Sequence, residues 1–347
     1  MRSWIPAFAG MTISLAAMAQ TTDDPYLWLE DVLGDKPLAW VRSRNAESQP
    51  LIEGRPEFKP IHERLLGIYN SRERIPAVVK RGKWLYNFWQ DGDNPRGLWR
   101  RTTRDQYRKK DPAWETVIDV DKLDADEKQP WVWGGADCLY PDYTRCLVRL
   151  APGGSDAAEV REFDTVSKAF VKDGFNVPLA KSDTAWRDRD TVYVATDFGA
   201  GSLTTSGYPR IVKEWKRGTP LAAAKTVLEG KASDVSVSAG VYNEKGRRYE
   251  MAVDAVSFFE KDSYLRVGDE WKRLDVPRDA DVGFGNGYLF LQLKKDWARR
   301  RDTKTSGVAA SSEKGGGFCR AISGGWRRTM LLEFGESLWA DCPRFPH

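Results

Sequence analysis

Apolar residues recur at every second position from about Ile75 to Trp297, and this alternation limits the chain to a mainly β fold. The strand-like runs are separated by Gly, Pro, Asp and Asn turn signals. The run Trp84 to Gln90, the turn Asp91 to Pro95 and the returning run Gly97 to Arg101 together predict a β-hairpin. With 15 Trp in 347 residues, the chain also favours side chains that suit a pleated, half-buried surface.

Comparable runs begin near Thr144, Thr191, Tyr249 and Gly287. Their spacing is roughly 40 to 60 residues, about the length of a propeller blade made of four short strands. We therefore predict a mostly β protein with a partial β-propeller of four to five blades over residues 73–297. β-Sandwiches would also give short strands with frequent turns, and the pattern alone leaves that alternative open.

A short helical segment, residues 20–72, precedes the propeller in this prediction. Asp35 can cap a helix that has Pro37 in its first turn. A second set of apolar residues recurs at helical spacing: Phe58, Ile61, Leu65 and Ile68. These helices are amphipathic and need a surface to cover them.

Residues 1–19 are typical of a cleavable leader. Arg2 is followed by an uncharged, moderately apolar run that ends in Ala17, Met18 and Ala19, a form that signal peptidase accepts. Cleavage would make the protein periplasmic or secreted, and without cleavage it would be cytoplasmic. A disordered leader is the alternative. No uncharged apolar stretch reaches about 18 residues, so no membrane span is predicted.

In the last segment, residues 298–347, apolar residues follow neither the two-residue period of a strand nor the 3.6-residue period of a helix. The segment is rich in Arg, Gly and Ser. We predict an irregular tail. The strand pattern stops inside what should be the next hairpin, which suggests a frameshift, with an ordinary flexible tail as the alternative.

Cys138 and Cys146 form a candidate disulfide, because a turn-like sequence separates them by eight positions. Buried free thiols are the alternative. The chain has no Cys-x-x-Cys and only His62 and His347, so we predict no metal site and no cofactor. The 54 basic and 50 acidic residues are interspersed, which argues against nucleic acid as a partner.

Several segments resemble the prolyl oligopeptidase family, including its bacterial branch, in order and spacing. The resemblance covers about residues 20 to 297. Its segments are Asp24 to Asp31 with Trp40, Val41 and Asn45, then Pro76 to Gly82, Trp84 to Gly92, Asn94 to Arg100, Trp186 to Val194, Gly207 to Arg210, and Trp215 to Gly218.

The resemblance implies an α/β-hydrolase domain in two sequence pieces with a β-propeller inserted between them. Residues 20–72 would be the first piece. In such enzymes the propeller admits short peptides and excludes folded proteins, and a serine, a histidine and an aspartate cleave after proline.

The catalytic pattern is absent from this sequence. A serine nucleophile in this fold needs Gly-x-Ser-x-Gly. The window 153–157, around Ser155, fails at its last position, and the window 321–325, around Ser323, fails at its first. The histidine should follow the serine and the aspartate, yet His62 lies in the helical segment and His347 is the last residue. We therefore assign no catalytic residue.

Two other motifs have structural interpretations. The acidic run Asp119, Asp121, Asp124 and Asp126 lacks the glycine and final glutamate of a calcium loop, so we expect a solvated loop. The glycine-rich segment Gly199 to Ser202 is not followed by Lys-Ser or Lys-Thr, which favours a turn between strands.

The resemblance and the missing catalytic pattern together predict that the chain is the N-terminal and propeller portion of a prolyl oligopeptidase-like serine endopeptidase and is inactive alone. Tyr26, Trp28, Leu29 and Trp40 would be uncovered, and open sheet edges would favour self-association. One alternative is a stand-alone propeller used as a binding or scaffold module. Another is a peptidase assembled with a second polypeptide that supplies the triad.

Overall fold

The structure is a computed structural model that describes residues 24–31, 34–244, 246–285, 288–295, 319–324 and 327–333. It divides into two compact units, Met1–Tyr69 and Asn70–His347. None of the helices in the described ranges is long and apolar enough to cross a membrane.

The first unit is helical. A 3₁₀ turn at Leu27–Glu30 precedes helix α1 (Asp35–Glu53) and helix α2 (Phe58–Tyr69). Helix α1 begins at Asp35 itself and Gly34 is its cap, so the prediction that Asp35 caps the helix is wrong by one residue. Pro37 lies in the first turn, where its missing N–H costs no hydrogen bond.

The apolar side chains of these two helices stay largely exposed. Pro37 is the only buried residue of α1, and α2 has none. Tyr26 and Trp40 are exposed, while Trp28 and Leu29 are half-buried. Trp28 and Trp40 make an edge-on ring contact at 6.2 Å.

The second unit contains five antiparallel sheets that follow one another along the chain. We call them blades 1 to 5. Blade 1 contains β1 (Val79–Arg81), β2 (Trp84–Trp89), β3 (Leu98–Thr103) and β4 (Glu115–Asp119). Blade 2 contains β5 (Trp131–Cys138), β6 (Arg145–Pro152), β7 (Ala158–Asp164), β8 (Ala169–Phe170) and β9 (Asn176–Ala180). Blade 3 contains β10 (Asp183–Asp188), β11 (Thr191–Ala195), β12 (Ile211–Lys216) and β13 (Lys225–Glu229).

Blade 4 contains β14 (Ser236–Glu244), β15 (Arg247–Ala255), β16 (Lys261–Val267) and β17 (Glu270–Arg273). Blade 5 contains β18 (Asp281–Gly285), β19 (Tyr288–Leu293), β20 (Cys319–Gly324) and β21 (Arg327–Glu333), in the order β18-β19-β21-β20. Short helices α3 (Arg104–Tyr107) and α4 (Val120–Glu127) and a 3₁₀ turn at Leu221–Ala223 lie between strands.

The prediction of an irregular tail is wrong for residues 319–324 and 327–333, which form β20 and β21. Strand β21 pairs with β19 in register Tyr288 to Glu333, and β20 pairs with β21. The composition of the β20–β21 hairpin does not favour strands. It nevertheless pairs with the free edge of β19, because pairing with a sheet outweighs the intrinsic preference of the residues. The remaining residues of the predicted tail lie outside the described part.

Neighbouring blades pack face to face. Strand β11 illustrates why, because it is buried on both sides. Val192 and Val194 face the core shared with blade 2, whereas Tyr193 and Ala195 face the core shared with blade 4. Since alternate residues of a strand point to opposite faces, one apolar run fills two cores.

The same packing joins blade 1 to blade 2 and blade 4 to blade 5. Between blades 1 and 2, Trp99 packs on Tyr86 and Trp133 with ring centroids 5.0 and 5.3 Å apart. The predicted hairpin is confirmed, with β2 and β3 paired from Trp84↔Thr103 to Trp89↔Leu98.

Candidate functional site

The first strands of the blades lie beside one another. The Arg81 guanidinium on β1 donates to the Ala136 carbonyl of β5 at 2.6 Å. The Trp186 indole on β10 donates to the Asp137 carbonyl at 3.0 Å. The first strands therefore bring side chains from successive blades to common positions.

A cavity of about 450 Å³ lies where β5, β10 and β14 end. Its walls are the segments 137–143 and 185–189 together with Val241, Asn243 and Arg248. Because the first strands run in the same direction, the turns that follow them meet at one end of the blades. A cavity of this size suits a small ligand or a few peptide residues.

One wall of the cavity is the turn between β5 and β6. Cys138 and Cys146 face each other across these strands and are joined by a disulfide, with their Cα atoms 3.9 Å apart. Tyr140 and Tyr143 of the turn make an edge-on contact at 5.9 Å, and both line the cavity. The disulfide therefore closes the loop that carries these two aromatic rings.

An ionic network lies beside the cavity at the junction of blades 3 and 4. Arg266 Nη1 is 2.9 Å from Glu214 Oε2 and 2.8 Å from Tyr193 Oη. Tyr193 in turn donates to the Glu250 carboxylate. Burial and the neighbouring Glu250 raise the pKa of Tyr193.

Two arginines of the cavity wall belong to this network. Arg187 lies 3.3 Å from Glu214 and 3.2 Å from Glu250, and Arg248 lies 3.0 Å from Glu250. Burial lowers the pKa of Arg187, but Glu250 and Glu214 outweigh burial and raise it. The guanidinium groups are thus fixed in place by half-buried carboxylates, which gives the cavity a rigid polar wall.

Two aspartates on the first strands have raised pKa values, which favours the neutral acid. Asp137 is accessible from the cavity, but the surrounding protein removes bulk solvent and raises its pKa despite the opposing charge of Arg81. Burial raises the pKa of Asp183 to about 6, Arg149 opposes the shift, and Asp137 adds to it. The cavity region therefore combines acids, arginines and aromatic rings that can bind a peptide backbone and its side chains.

Of the candidate site residues predicted from sequence, Cys138 lines this cavity and Cys146 is bonded to it, and the family-resemblance segment Trp186 to Val194 supplies part of the wall. His62 is exposed on α2 and stacks on Phe58 at 5.9 Å. The Ser155 hydroxyl donates to the Ala157 carbonyl at 2.9 Å in the turn between β6 and β7. Across the described ranges, no three His, Cys, Asp or Glu side chains are arranged to hold a metal ion.

The acidic run is not the solvated loop that we expected. Asp119 caps α4 by accepting from the Lys122 amide at 2.9 Å. Asp121 accepts from the amides of Arg96 and Gly97 at 3.1 Å. The run thus holds the β2–β3 turn against the helix that follows β4.

The glycine-rich segment is a turn after β11, in agreement with the expectation. The Ser202 hydroxyl donates within the turn, to the Gly199 carbonyl at 2.6 Å. Sequence reasoning missed Arg187, Glu214, Glu250 and Arg266, because isolated charged residues on strands carry no local signal of a network.

Five successive antiparallel sheets, four of them with four strands and one with five, pack face to face and define a β-propeller domain. A family model described as "Prolyl oligopeptidase, N-terminal beta-propeller domain" matches residues 16–267. The chain belongs to the prolyl oligopeptidase family. The predicted family and the predicted mostly β, propeller-type fold are thereby confirmed.

Known proteins agree with this assignment. The chain is 34% identical to the uncharacterized peptidase y4nA of Sinorhizobium fredii over 294 residues, which cover 82% of this chain and 40% of that protein. A post-proline cleaving enzyme from Rickettsia typhi matches with a TM-score of 0.72 and 29% identity, over 78% of this chain and 41% of that one. The chain thus spans about two fifths of the length of the curated relatives it matches.

Oligopeptidase B from Leishmania major shows the same fold at lower similarity. Its TM-score is 0.58 at 14% identity, over 78% of this chain and 38% of that protein. This match supports the fold alone.

Proposed function

We propose that this chain is the propeller-bearing portion of a serine peptidase that cleaves after proline, and that its propeller admits short peptides. The cavity at the ends of the first strands carries the proposal. A space of about 450 Å³ holds a few residues of an extended chain and no folded domain. The post-proline cleaving relative, at 29% identity, supports the choice of substrate.

We further propose that these residues do not cleave peptides by themselves. The 347 residues contain no Gly-x-Ser-x-Gly window and no histidine placed after a nucleophile and an acid in chain order. Ser155 and Ser202 lie in glycine-containing turns. Each donates its hydroxyl to a backbone carbonyl of its own turn. The Ser202 hydroxyl also donates to the Asp197 carboxylate at 3.0 Å, but among the described residues neither serine is hydrogen-bonded to a histidine that could act as general base.

Hydrolysis of a chromogenic Gly-Pro amide by the purified chain tests inactivity. We expect no turnover and no labelling by a serine-directed phosphonate. Turnover that the phosphonate abolishes would show that a nucleophile exists in this chain and would overturn this part of the proposal.

Binding of a short proline-containing peptide, measured by calorimetry, tests the role of the cavity. We expect Tyr140→Ala to weaken binding several-fold, because Tyr140 lines the cavity. Tyr26→Ala is the matched control, since Tyr26 is also an exposed tyrosine but belongs to the helical unit. Equal affinities for the two variants would contradict a role for the cavity.

We also propose export. A leader ending at Ala19 and a disulfide between Cys138 and Cys146 both suit an oxidising compartment. The intact mass of protein isolated from its native host tests this, because cleavage removes residues 1–19 and the disulfide removes two hydrogens. An unprocessed mass with free thiols would contradict export.

Finally, we propose that the chain self-associates through uncovered surface. The outer strands of the blades offer unpaired backbone groups, and the helical unit exposes large apolar side chains. Sedimentation velocity of the purified chain should show species larger than the monomer, and a single compact monomer at all concentrations would refute the proposal.

A further inference from the structure

Two buried aspartates lie directly opposite each other in blade 4. Asp254 on β15 pairs with Asp262 on β16 in the antiparallel register, and both side chains are buried. Like charges at such a position repel. The pair therefore needs cations or a proton to be tolerated.

Arginines neutralise only one member of the pair. Arg273 Nη2 lies 2.5 Å from Asp262 Oδ1, and Arg278 binds both oxygens of Asp262 at 2.9 and 2.8 Å. These hydrogen bonds lower the pKa of Asp262, with Arg278 as the largest cause. Asp262 thus stays ionised and leaves its negative charge facing Asp254.

Asp254 lacks such compensation. Its side chain is only 8% exposed, and its Oδ1 atom is buried without a hydrogen-bond partner in the described part of the chain. The carboxylate packs on the backbone of Gly230, where an added Cβ would lie 2.9 Å from Oδ1. A buried, unpartnered carboxylate oxygen is costly when it carries charge.

Charged and titratable groups surround Asp254 on all packed elements. Asp234, from the segment between β13 and β14, adds a third buried carboxylate. Arg278 and, more weakly, Lys231 of the same segment attract the Asp254 carboxylate, but burial and the two aspartates outweigh them. The groups that face Asp254 from β16, β17 and the segment after β17 are Asp262, Tyr264, Arg273 and Arg278.

We propose that Asp254 is a proton-binding residue that makes the packing of the β15–β16 hairpin on the blade 3–blade 4 linker depend on pH. A metal ion would need several oxygen ligands. Asp262 gives both of its oxygens to arginines, so two carboxylates remain. One proton on Asp254 is enough to remove its repulsion from Asp234 and Asp262.

The linker, residues 230–235, is hydrogen-bonded to strands and turns of blades 3 and 4 close to this carboxyl. The Val235 amide donates to the Ala255 carbonyl at 2.7 Å, next to Asp254, and the Thr205 amide donates to the Ala232 carbonyl at 2.8 Å. Ionisation of Asp254 strains the contact between this linker and the hairpin. The tip of the same hairpin carries Phe258 and Phe259, which are 89% and 78% exposed.

The direction of the pH effect follows from the shift of Asp254. Burial, then Asp234 and Asp262, raises its pKa to about 6 from a usual value of 3.8. Because the folded state binds the proton more tightly than the unfolded state, the stabilisation is complete below the unfolded pKa. It is lost as the pH rises through about 6.

Denaturant unfolding at pH values between about 4 and about 7 tests the proposal. We expect the unfolding equilibrium constant of the parent protein to rise with pH, and Asp254→Asn to remove about a hundredfold of that rise. Asp126→Asn is the control, because Asp126 is an exposed aspartate on α4. Asp183, whose pKa is also raised to about 6, contributes equally to both proteins, so the difference between them isolates Asp254.

Two further measurements keep the test decisive if Asp254→Asn does not fold. Asp234→Asn should lower the pH at which stability falls, because it removes one repulsive charge. Hydrogen exchange of residues 230–237 and 254–262 should accelerate above about pH 6 beyond the intrinsic pH trend of amide exchange. An unchanged pH profile in the variants, or exchange that follows only the intrinsic trend, would overturn the proposal.

Discussion

Apolar side chains are buried in the propeller unit of this protein and largely exposed in its helical unit. In the propeller, each blade covers the apolar face of the next, so that Val192, Val194 and Leu291 are almost completely buried. In the helical unit, Ile61 and Ile68 recur on one side of α2 and remain exposed. The blades thus supply one another with a core, whereas two short helices cannot do so.

This difference separates the source of stability from the source of association. Stability should come from the contacts between blades, because burial removes large apolar areas from water there. The exposed helical surface should govern association with other chains or domains. Substitutions of the same residue type in the two units therefore test whether stability and association have these separate sources.

The largest expected effect comes from removing a large aromatic side chain that packs between blades 1 and 2. Trp99 is 3% exposed and stacks on Tyr86 and Trp133, so Trp99→Ala should lower the free energy of unfolding by about 4 kcal/mol. Trp40→Ala in the helical unit is the matched control. Trp40 is 39% exposed, and its loss should cost less than about 1 kcal/mol. Urea unfolding measures both, and similar losses would contradict the division.

A smaller effect is expected from reduction of the Cys138–Cys146 disulfide. The bond closes a short loop, and such loops contribute about 2 kcal/mol by restricting the unfolded chain. The denaturation midpoint should fall when a reductant is added. Cys138→Ser with Cys146→Ser should unfold at the reduced midpoint with or without reductant. A parent protein indifferent to reductant would show that the bond adds no stability.

The strands found from sequence share one position in the fold. Each strand-like run recognised in the sequence is the second strand of a blade. The runs near Trp84, Thr144, Thr191, Tyr249 and Gly287 correspond to β2, β6, β11, β15 and β19. A second strand is paired on both edges and packed on both faces, so its residues are apolar or β-branched and the pattern is strong. Outer strands such as β13 and β17 are mostly exposed and give little signal.

The candidate site was harder to predict for a related reason. The cavity lies where turns from three blades meet, and each turn by itself looks ordinary. Only the pair Cys138 and Cys146 carried a local signal, through its spacing. Asp254 and Asp262 are eight positions apart in the sequence, and only the hairpin register places them opposite each other. Long-range pairing of this kind is not encoded in any short motif.

The smallest effect on stability is expected on the exposed face of α2. The double variant Ile61→Glu, Ile68→Glu should change the free energy of unfolding by less than about 0.5 kcal/mol, because both residues are more than half exposed. It should nevertheless reduce self-association in sedimentation velocity, since it removes apolar surface. Lys59→Glu on the same helix is a control with an equal change in net charge and no loss of apolar area. If Lys59→Glu reduced self-association equally, the change in net charge would be responsible. The apolar face of α2 would then not be the surface through which the chain associates.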